Sequence, residues 1–236
     1  MGEADTGVNA TSHPLDDPVR SALTGPHAHL AEVRGRVMRY PPDVLKFVAI
    51  PYPATADDWA EAAAWAGPEQ VGVGVVVAPP ADWLLSSVGQ GLQLVEDRVR
   101  PRFDAEAVRL GPADVPEIVE FVARHRNGRR FPPRTLETGT YLGFRRGGAL
   151  VAMAGERLRP AGWSELSAVC TDPAYRRQGL ATRLVLALVA GIHERGDAVF
   201  LHVEGDNVEA IALYERLGFR LRRPISMARV HIPPNP

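Results

Sequence analysis

The chain has 236 residues, of which 45% are hydrophobic and 23% are charged, and its formal net charge is −1. These values are typical of globular proteins and argue against a disordered chain, and the length allows one large domain or two small ones. A net charge near zero creates no global field that attracts nucleic acid or an anionic membrane, so we expect neither as a partner.

The cysteines, histidines and apolar runs of the sequence indicate the compartment and exclude some kinds of site. Cys170 is the only cysteine, which excludes an intrachain disulfide and favours a reducing cytoplasm. The longest apolar run, near 71–78, is too short to span a bilayer, and the start lacks the apolar region of a signal peptide. His27 and His29 have no matching downstream ligand pair, so we expect no metal. One lysine among many arginines, with abundant Ala, Gly and Pro, suggests a GC-rich bacterial genome.

The N-terminal part contains few clear elements. Residues 1–15 are polar and are predicted to be a mobile tail. Further elements are predicted as a helix over 17–23, a strand over 44–50, a helix over 57–66, and strands over 71–77 and 91–95. The charged stretch 98–103, which contains Pro101, is the best boundary, so we expect an N-terminal lobe over 16–104 and a second domain over 105–236.

The C-terminal part has stronger patterns. The predicted elements are a strand at 108–110, a helix ending near 124, a hairpin of strands 140–145 and 149–158, a central strand at 163–171, a helix over 179–195, a strand at 198–204, a helix ending at Gly218, and a hairpin over 219–231. In the 179–195 helix, apolar residues recur every four positions from Leu180 to Ile192, which is typical of an amphipathic helix.

The most informative spacing is Arg176-x-x-Gly179-x-Ala181, which follows the central strand and opens a helix. Small residues let the backbone approach a ligand closely. The unpaired N–H groups of a helix's first turn, with the positive end of the helix dipole behind them, then favour a phosphate or pyrophosphate. Alone, the spacing is also compatible with a plain strand-to-helix turn.

A second motif accompanies the first. Asn207-x-x-Ala210-x-x-x-Tyr214-x-x-x-Gly218-Phe219 follows after an intervening strand. In this order the two motifs resemble those of the GNAT superfamily of N-acetyltransferases. The resemblance covers about 105–236, while the first hundred residues are only loosely similar to the N-terminal half of glycine N-acyltransferase-like members. It implies an α/β fold with a mixed, mainly antiparallel central sheet flanked by helices, and a diverged N-terminal α/β lobe.

The resemblance also implies a reaction: direct transfer of an acetyl group from acetyl-CoA to a primary amine in a ternary complex. Glu165, 14 residues before Gly179, would be the general base, with its pKa raised by burial; the alternative is a solvated strand-end carboxylate that pairs with an arginine. Tyr214 would be the general acid that protonates the departing thiolate. The residues that would bind the coenzyme are Val169, Cys170 and Thr171 through their backbones, together with Arg176, Arg177, Gln178, Gly179, Leu180, Ala181, Thr182, Asn207 and Tyr214.

Several alternatives stay open. The chain could be a non-catalytic acyl-CoA-binding regulatory module, or an acyltransferase that uses a longer acyl-CoA. A nucleotide site at the Gly179 turn is weak, because no Gly-Lys-Ser/Thr follows. The basic stretch 124–130 is a solvated loop or a contact for an acidic acceptor or the coenzyme's outer phosphate. No motif identifies the acceptor, a small molecule or a peptide, and a homo-oligomer is compatible with the sequence.

Overall fold

The computed structural model describes residues 13–66, 70–73, 84–125 and 130–231. Its α-helices are α1 (Pro18–Leu23), α2 (Ala56–Ala66), α3 (Val115–His125), α4 (Leu180–Glu194) and α5 (Val208–Leu217). Its strands are β1 (Glu32–Arg34), β2 (Val37–Arg39), β3 (Phe47–Ala49), β4 (Gln70–Val73), β5 (Leu84–Glu96), β6 (Val108–Arg109), β7 (Tyr141–Arg146), β8 (Ala149–Glu156), β9 (Trp163–Thr171), β10 (Ala198–Glu204) and β11 (Phe219–His231).

The strands form one sheet in the order β1-β2-β3-β4-β11-β5-β10-β9-β8-β7-β6. Among the described strands, β9 pairs parallel with β10 and β3 pairs parallel with β4, whereas the other neighbours are antiparallel. The predicted fold class, a mixed and mainly antiparallel sheet flanked by helices, is therefore confirmed.

Helices and side chains cover the sheet on two faces. One face, the α4/α5 face, has a core that contains Leu184, Leu188 and Ile192 of α4 together with Tyr214 of α5. The opposite face, the α3/lobe face, carries the α3 core around Phe121 and the N-terminal core formed by α1 and its neighbouring segments. Alternate residues of β10 separate the two: Leu201 packs on the α4/α5 face and Phe200 on the other.

The N-terminal lobe is built into the sheet of the C-terminal part. Strand β5, which lies within the predicted lobe 16–104, inserts between β10 and β11 and pairs antiparallel with both. The predicted boundary near residue 104 is therefore not a boundary between two sheets. Leu15, which the sequence placed in the mobile tail, is fully buried in the N-terminal core, and its carbonyl accepts a hydrogen bond from Gln93 Nε2 at 3.0 Å.

The predicted hairpin over 219–231 is wrong, because this segment forms the single strand β11. Its partner β5 is equally long, 13 residues, and pairs with it from Phe219 to His231. A register shift between Leu221 and Arg223 precedes Pro224, and such irregularities are where a sheet tolerates proline. Residues 74–77 of the predicted 71–77 strand and 126–129 of the basic stretch lie outside the described residues.

Candidate active site

A cleft opens where two central strands part. The pairing of β9 with β10 starts at Trp163/Ala198 and ends at Leu166/Leu201. Beyond that point β9 contains an irregularity at Ala168, whose φ is 54°. The Asp172 N–H bonds to the carbonyl of Val151 on the β8 side. Because alternate strand residues direct their backbone groups to opposite neighbours, Val169 and Thr171 direct theirs into the gap.

The cleft has a volume of about 990 Å³. It runs from the segment that precedes α4, through the gap between β9 and β10, to Arg157 and His202. The structure brings the predicted site residues together there, with two exceptions: Gln178 and Glu165 do not line the cleft. Those that do are Val169, Cys170, Thr171, Arg176, Arg177, Gly179, Leu180, Ala181, Thr182, Asn207 and Tyr214.

The turn before α4 is shaped to admit an anion. Gly179 caps the helix with φ 75°, a left-handed conformation that favours glycine, and a Cβ added there would meet no atom of the described residues within 4 Å. The first bond inside the helix runs from the Arg183 N–H to the Gly179 carbonyl. The N–H groups of residues 180–182 therefore have no partner within the helix and lie at the cleft wall.

An orphaned hydroxyl adds a polar group beside this turn. Thr171 Oγ1 is buried and has no hydrogen-bond partner among the described residues, although Thr171 lines the cleft. A buried polar atom without a partner is costly unless a ligand or water satisfies it. Together with the open space at Gly179, this atom gives the cleft room and an unpaired polar group for a bound ligand.

Helix α5 holds Tyr214 at the same cleft. The Asn207 side chain caps the helix by accepting a hydrogen bond from the Ala210 N–H at 3.1 Å. Gly218 ends it with φ 97°, and a Cβ there would lie 2.6 Å from the backbone of Arg98. Tyr214 is buried, 8% exposed, and stacks edge-on against Phe219 with ring centres 5.8 Å apart. Its ring is therefore fixed while it faces the gap.

Glu165 lies deeper than the sequence suggested. It is fully buried, and the guanidinium of Arg157 donates to both of its oxygens, at 2.9 and 2.5 Å. His202 Nδ1 lies 2.8 Å from Oε1. Burial raises the pKa of this carboxyl, but the charge and hydrogen bonds of Arg157, aided by His202, outweigh burial and lower the pKa to about 2. The expectation of a raised pKa was therefore wrong, because the ion pair with Arg157 was missing from it.

Sequence reasoning did not identify which residues are the partners of Glu165. Gln93 Nε2 lies 3.0 Å from His202 Nε2, so both ring nitrogens of His202 have partners. The guanidinium of Arg157 lies over the ring of Phe47, 5.2 Å from its centre. These side chains come from β3, β5, β10 and the segment after β8, so no local spacing joins them. The one signal in the sequence was a histidine inside strand β10, where the other residues from 198 to 203 are apolar.

His125, at the end of α3, entered the sequence analysis only as part of the basic stretch 124–130. It lines the cleft from the α3/lobe face, and 13% of its side chain is exposed. Its Nε2 is buried and has no hydrogen-bond partner among the described residues. Asp172 Oδ2 lies 3.6 Å from this nitrogen, too far for a hydrogen bond but close enough for charge attraction.

Comparison with known proteins points to one family. The FR47-like protein family matches residues 141–228. A solved structure of a GNAT-family protein from Novosphingobium aromaticivorans is 35% identical, with a TM-score of 0.84, and the alignment covers 94% of this chain and 100% of that one. This likeness extends through the N-terminal lobe as well as the C-terminal motifs.

Curated relatives match shorter stretches. The N-alpha-acetyltransferase RimI of Mycobacterium tuberculosis is 41% identical over 34% of this chain and 51% of its own length. The ribosomal protein bS18-alanine N-acetyltransferase of Escherichia coli K12 is 46% identical over 22% of this chain and 35% of its own length. The chain thus spans about half or less of these relatives. None of the helices in the described ranges is long and apolar enough to cross a membrane.

Proposed function

Because the chain belongs to the GNAT superfamily of N-acetyltransferases, we propose that it transfers an acetyl group from acetyl-CoA directly to a primary amine. The observation that carries the proposal is the cleft itself. It joins the start of α4, with unpaired N–H groups and open space at Gly179, to a fixed tyrosine across parted strands. Acetyl-CoA supplies the acyl group as a thioester, which an amine attacks more readily than an amide.

The residues of the α4/α5 face would hold the donor. The free N–H groups of Leu180, Ala181 and Thr182 bind the pyrophosphate, aided by the helix dipole. Arg176 and Arg177 line the same stretch of the cleft and add positive charge. The backbone groups of Val169 and Thr171 bind the amides of the pantetheine arm, and the buried Thr171 hydroxyl gains a partner there.

Tyr214 would provide the proton for the departing thiolate. Its position on α5 at the cleft places a phenol beside the parted strands, and its burial keeps bulk water away. A positioned general acid typically contributes about 10²–10⁴-fold to the rate. Tyr214 is therefore the residue on which we expect turnover to depend most.

Glu165 takes a different part in this proposal from the one the sequence suggested. A carboxylate with a pKa near 2 binds protons weakly at neutral pH, and both its oxygens are engaged. Its contacts hold Arg157 and His202 at the cleft wall. We therefore assign Glu165 a positioning role within the proposed reaction.

Both oxygens of Glu165 are already hydrogen-bonded, and this observation also favours the alternative, a non-catalytic acyl-CoA-binding module. The decisive experiment combines calorimetry with acetyl-CoA and a thiol-release assay over a panel of amines. Relatives named as ribosomal-protein-alanine acetyltransferases make alanine-ended peptides the first acceptors to test, followed by small primary amines. Thiol release that depends on the amine, with an N-acetylated product by mass spectrometry, supports the enzyme. Tight binding without release across the panel supports the binding module, and faster release from a longer acyl-CoA would correct the donor.

A further inference from the structure

The two ends of the cleft belong to different faces of the sheet. The groups proposed to hold the donor, the start of α4 and Tyr214, belong to the α4/α5 face. The polar groups at the other end, Arg157, His202 and His125, lie on the α3/lobe face. An amine that reaches the acyl group of a donor held on the first face must enter from the second. A group on the α3/lobe face is then placed to accept the proton of its ammonium form.

Two of the titratable groups on that face are already engaged. Glu165 is fully buried, does not line the cleft, and accepts hydrogen bonds at both oxygens. His202 is hydrogen-bonded through Nδ1 to Glu165 and through Nε2 to Gln93. The Gln93 amide also donates to the Leu15 carbonyl, and its oxygen accepts from Arg222, so its nitrogen is the atom that faces His202. Protonating His202 at Nε2 would set two N–H groups against each other.

His125 differs from both. His125 lines the cleft, and its Nε2 is buried and lacks a hydrogen-bond partner among the described residues. A buried nitrogen of this kind is stabilised when a ligand supplies the missing partner. The Asp172 carboxylate, 3.6 Å away, would stabilise the imidazolium that forms when Nε2 takes a proton. Imidazole is also the side chain whose ordinary pKa lies closest to neutral pH, which suits a general base.

We propose that His125 is the general base, accepting through Nε2 the proton that the acceptor ammonium loses; this rests on the acetyltransferase function proposed above. Two protons leave the nitrogen, the first before the C–N bond forms and the second as the C–S bond breaks. The first passes through His125 to solvent. The second replaces the proton that Tyr214 gives to the thiolate. The products are the acetylated amine and the free thiol, and both residues return to their starting state.

The test compares His125→Ala with His193→Ala in the full chain. His193 occupies the last turn of α4, as His125 ends α3, but it bonds to Glu96 and does not line the cleft. We expect His125→Ala to lower kcat about 10²–10⁴-fold with unchanged acetyl-CoA affinity by calorimetry, and His193→Ala to leave kcat near the wild-type value. Amines of low pKa, which are already deprotonated, lose less rate than amines of high pKa. Added imidazole restores turnover of His125→Ala in proportion to its concentration.

Other results of these measurements would overturn the proposal. A folded His125→Ala with wild-type kcat overturns the proposal. So does an equal loss with all amines without imidazole rescue, which marks a structural role. His125→Asn serves if the alanine variant does not fold, since it keeps polar atoms but cannot accept the proton, and normal kcat in it is equally decisive. Wild-type protein that binds acetyl-CoA but acetylates no amine would overturn the proposed function itself, and this inference with it.

Discussion

The two faces of the sheet meet at one cleft but are built from different materials. On the α4/α5 face, the cleft wall consists mainly of backbone: helix N–H groups, a left-handed glycine and the parted edge of β9. On the α3/lobe face it consists of side chains held by other side chains, with Arg157, Glu165, His202 and Gln93 in one chain of hydrogen bonds. The first kind of wall suits a ligand shared by many enzymes, and the second suits the part of a reaction that differs between them.

The two cleft walls also differ in how far they depend on the whole fold. The turn before α4 is set by contiguous residues, from the Asp172 cap to Gly179. The opposite wall needs segments that are up to about a hundred residues apart in sequence, such as Gln93 and His202, to be brought together. The chain joins them by inserting β5 between β10 and β11.

The largest effect should come from removing β5. A fragment of residues 105–236 lacks the strand that joins β10 to β11, so two strand edges and the face around Phe200 become exposed. We expect this fragment to aggregate and to show no cooperative unfolding. The matched fragment 84–236 keeps β5 and should unfold cooperatively, although less stably than the full chain. The measurement is urea unfolding followed by circular dichroism. A soluble 105–236 fragment with full activity would show that the lobe is a separate accessory domain.

Tyr214→Phe should have the next largest effect, on turnover alone. Removing one oxygen should lower kcat about 10²–10⁴-fold while acetyl-CoA affinity stays within a few fold, because the donor is held by backbone groups. A thioester whose thiol has a lower pKa should partly restore the rate. Tyr175→Phe is the matched control, since Tyr175 also lines the cleft but lies in the turn before α4. If Tyr214→Phe loses affinity and kcat in parallel, the hydroxyl binds the donor and is not the acid.

The same division explains what the sequence could predict. The helix start at Gly179, the α5 cap at Asn207 and the position of β9 all depend on short-range spacing, and the structure has each of them where expected. The pKa of Glu165 depends on Arg157 and His202, which only the folded sheet brings near. The 219–231 segment is a single strand because β5, from the other half of the chain, lies beside it. Tertiary pairing of this kind leaves no local signal.

Glu165→Gln should act mainly on stability. It leaves the Arg157 guanidinium without a counterion, and removing one partner of a buried pair costs about 3–5 kcal/mol. We expect the free energy of unfolding to fall by about 3 kcal/mol, at the low end of that range, because 27% of the Arg157 side chain remains exposed to solvent. The matched control is Glu137→Gln. Glu137 forms the same kind of bidentate pair with Arg134, at 2.7 and 2.8 Å, but on the surface. A surface pair of this kind contributes less than about 1 kcal/mol to the free energy of unfolding.

The difference in free energy of unfolding between the wild type and Glu165→Gln should depend on pH in a definite direction. The folded pKa of Glu165, about 2, lies below the ordinary value of 4.5, so the ionised carboxylate stabilises the fold. Its contribution is complete above pH 4.5 and is lost as the pH falls from 4.5 towards 2. The free energy of unfolding of the wild type should therefore approach that of Glu165→Gln over this range. A difference that does not change between pH 7 and pH 3 would contradict the lowered pKa.

The smallest effect, and the most specific to the α4/α5 face, should come from Gly179→Val. The added side chain points into space where no atom of the described part of the chain lies within 4 Å, so it fills the volume proposed for the pyrophosphate without clashing there. We expect acetyl-CoA affinity to fall about 10- to 100-fold by calorimetry, a loss of about 1.4–2.8 kcal/mol. A valine at φ 75° is also strained, by about 1–3 kcal/mol. Gly196→Val separates the two effects, because Gly196 follows the other end of α4 with φ 80° and equally open surroundings but does not line the cleft. Both variants should lose similar stability, and only Gly179→Val should lose affinity. Equal affinities in the two variants would mean that the donor binds elsewhere than at the start of α4.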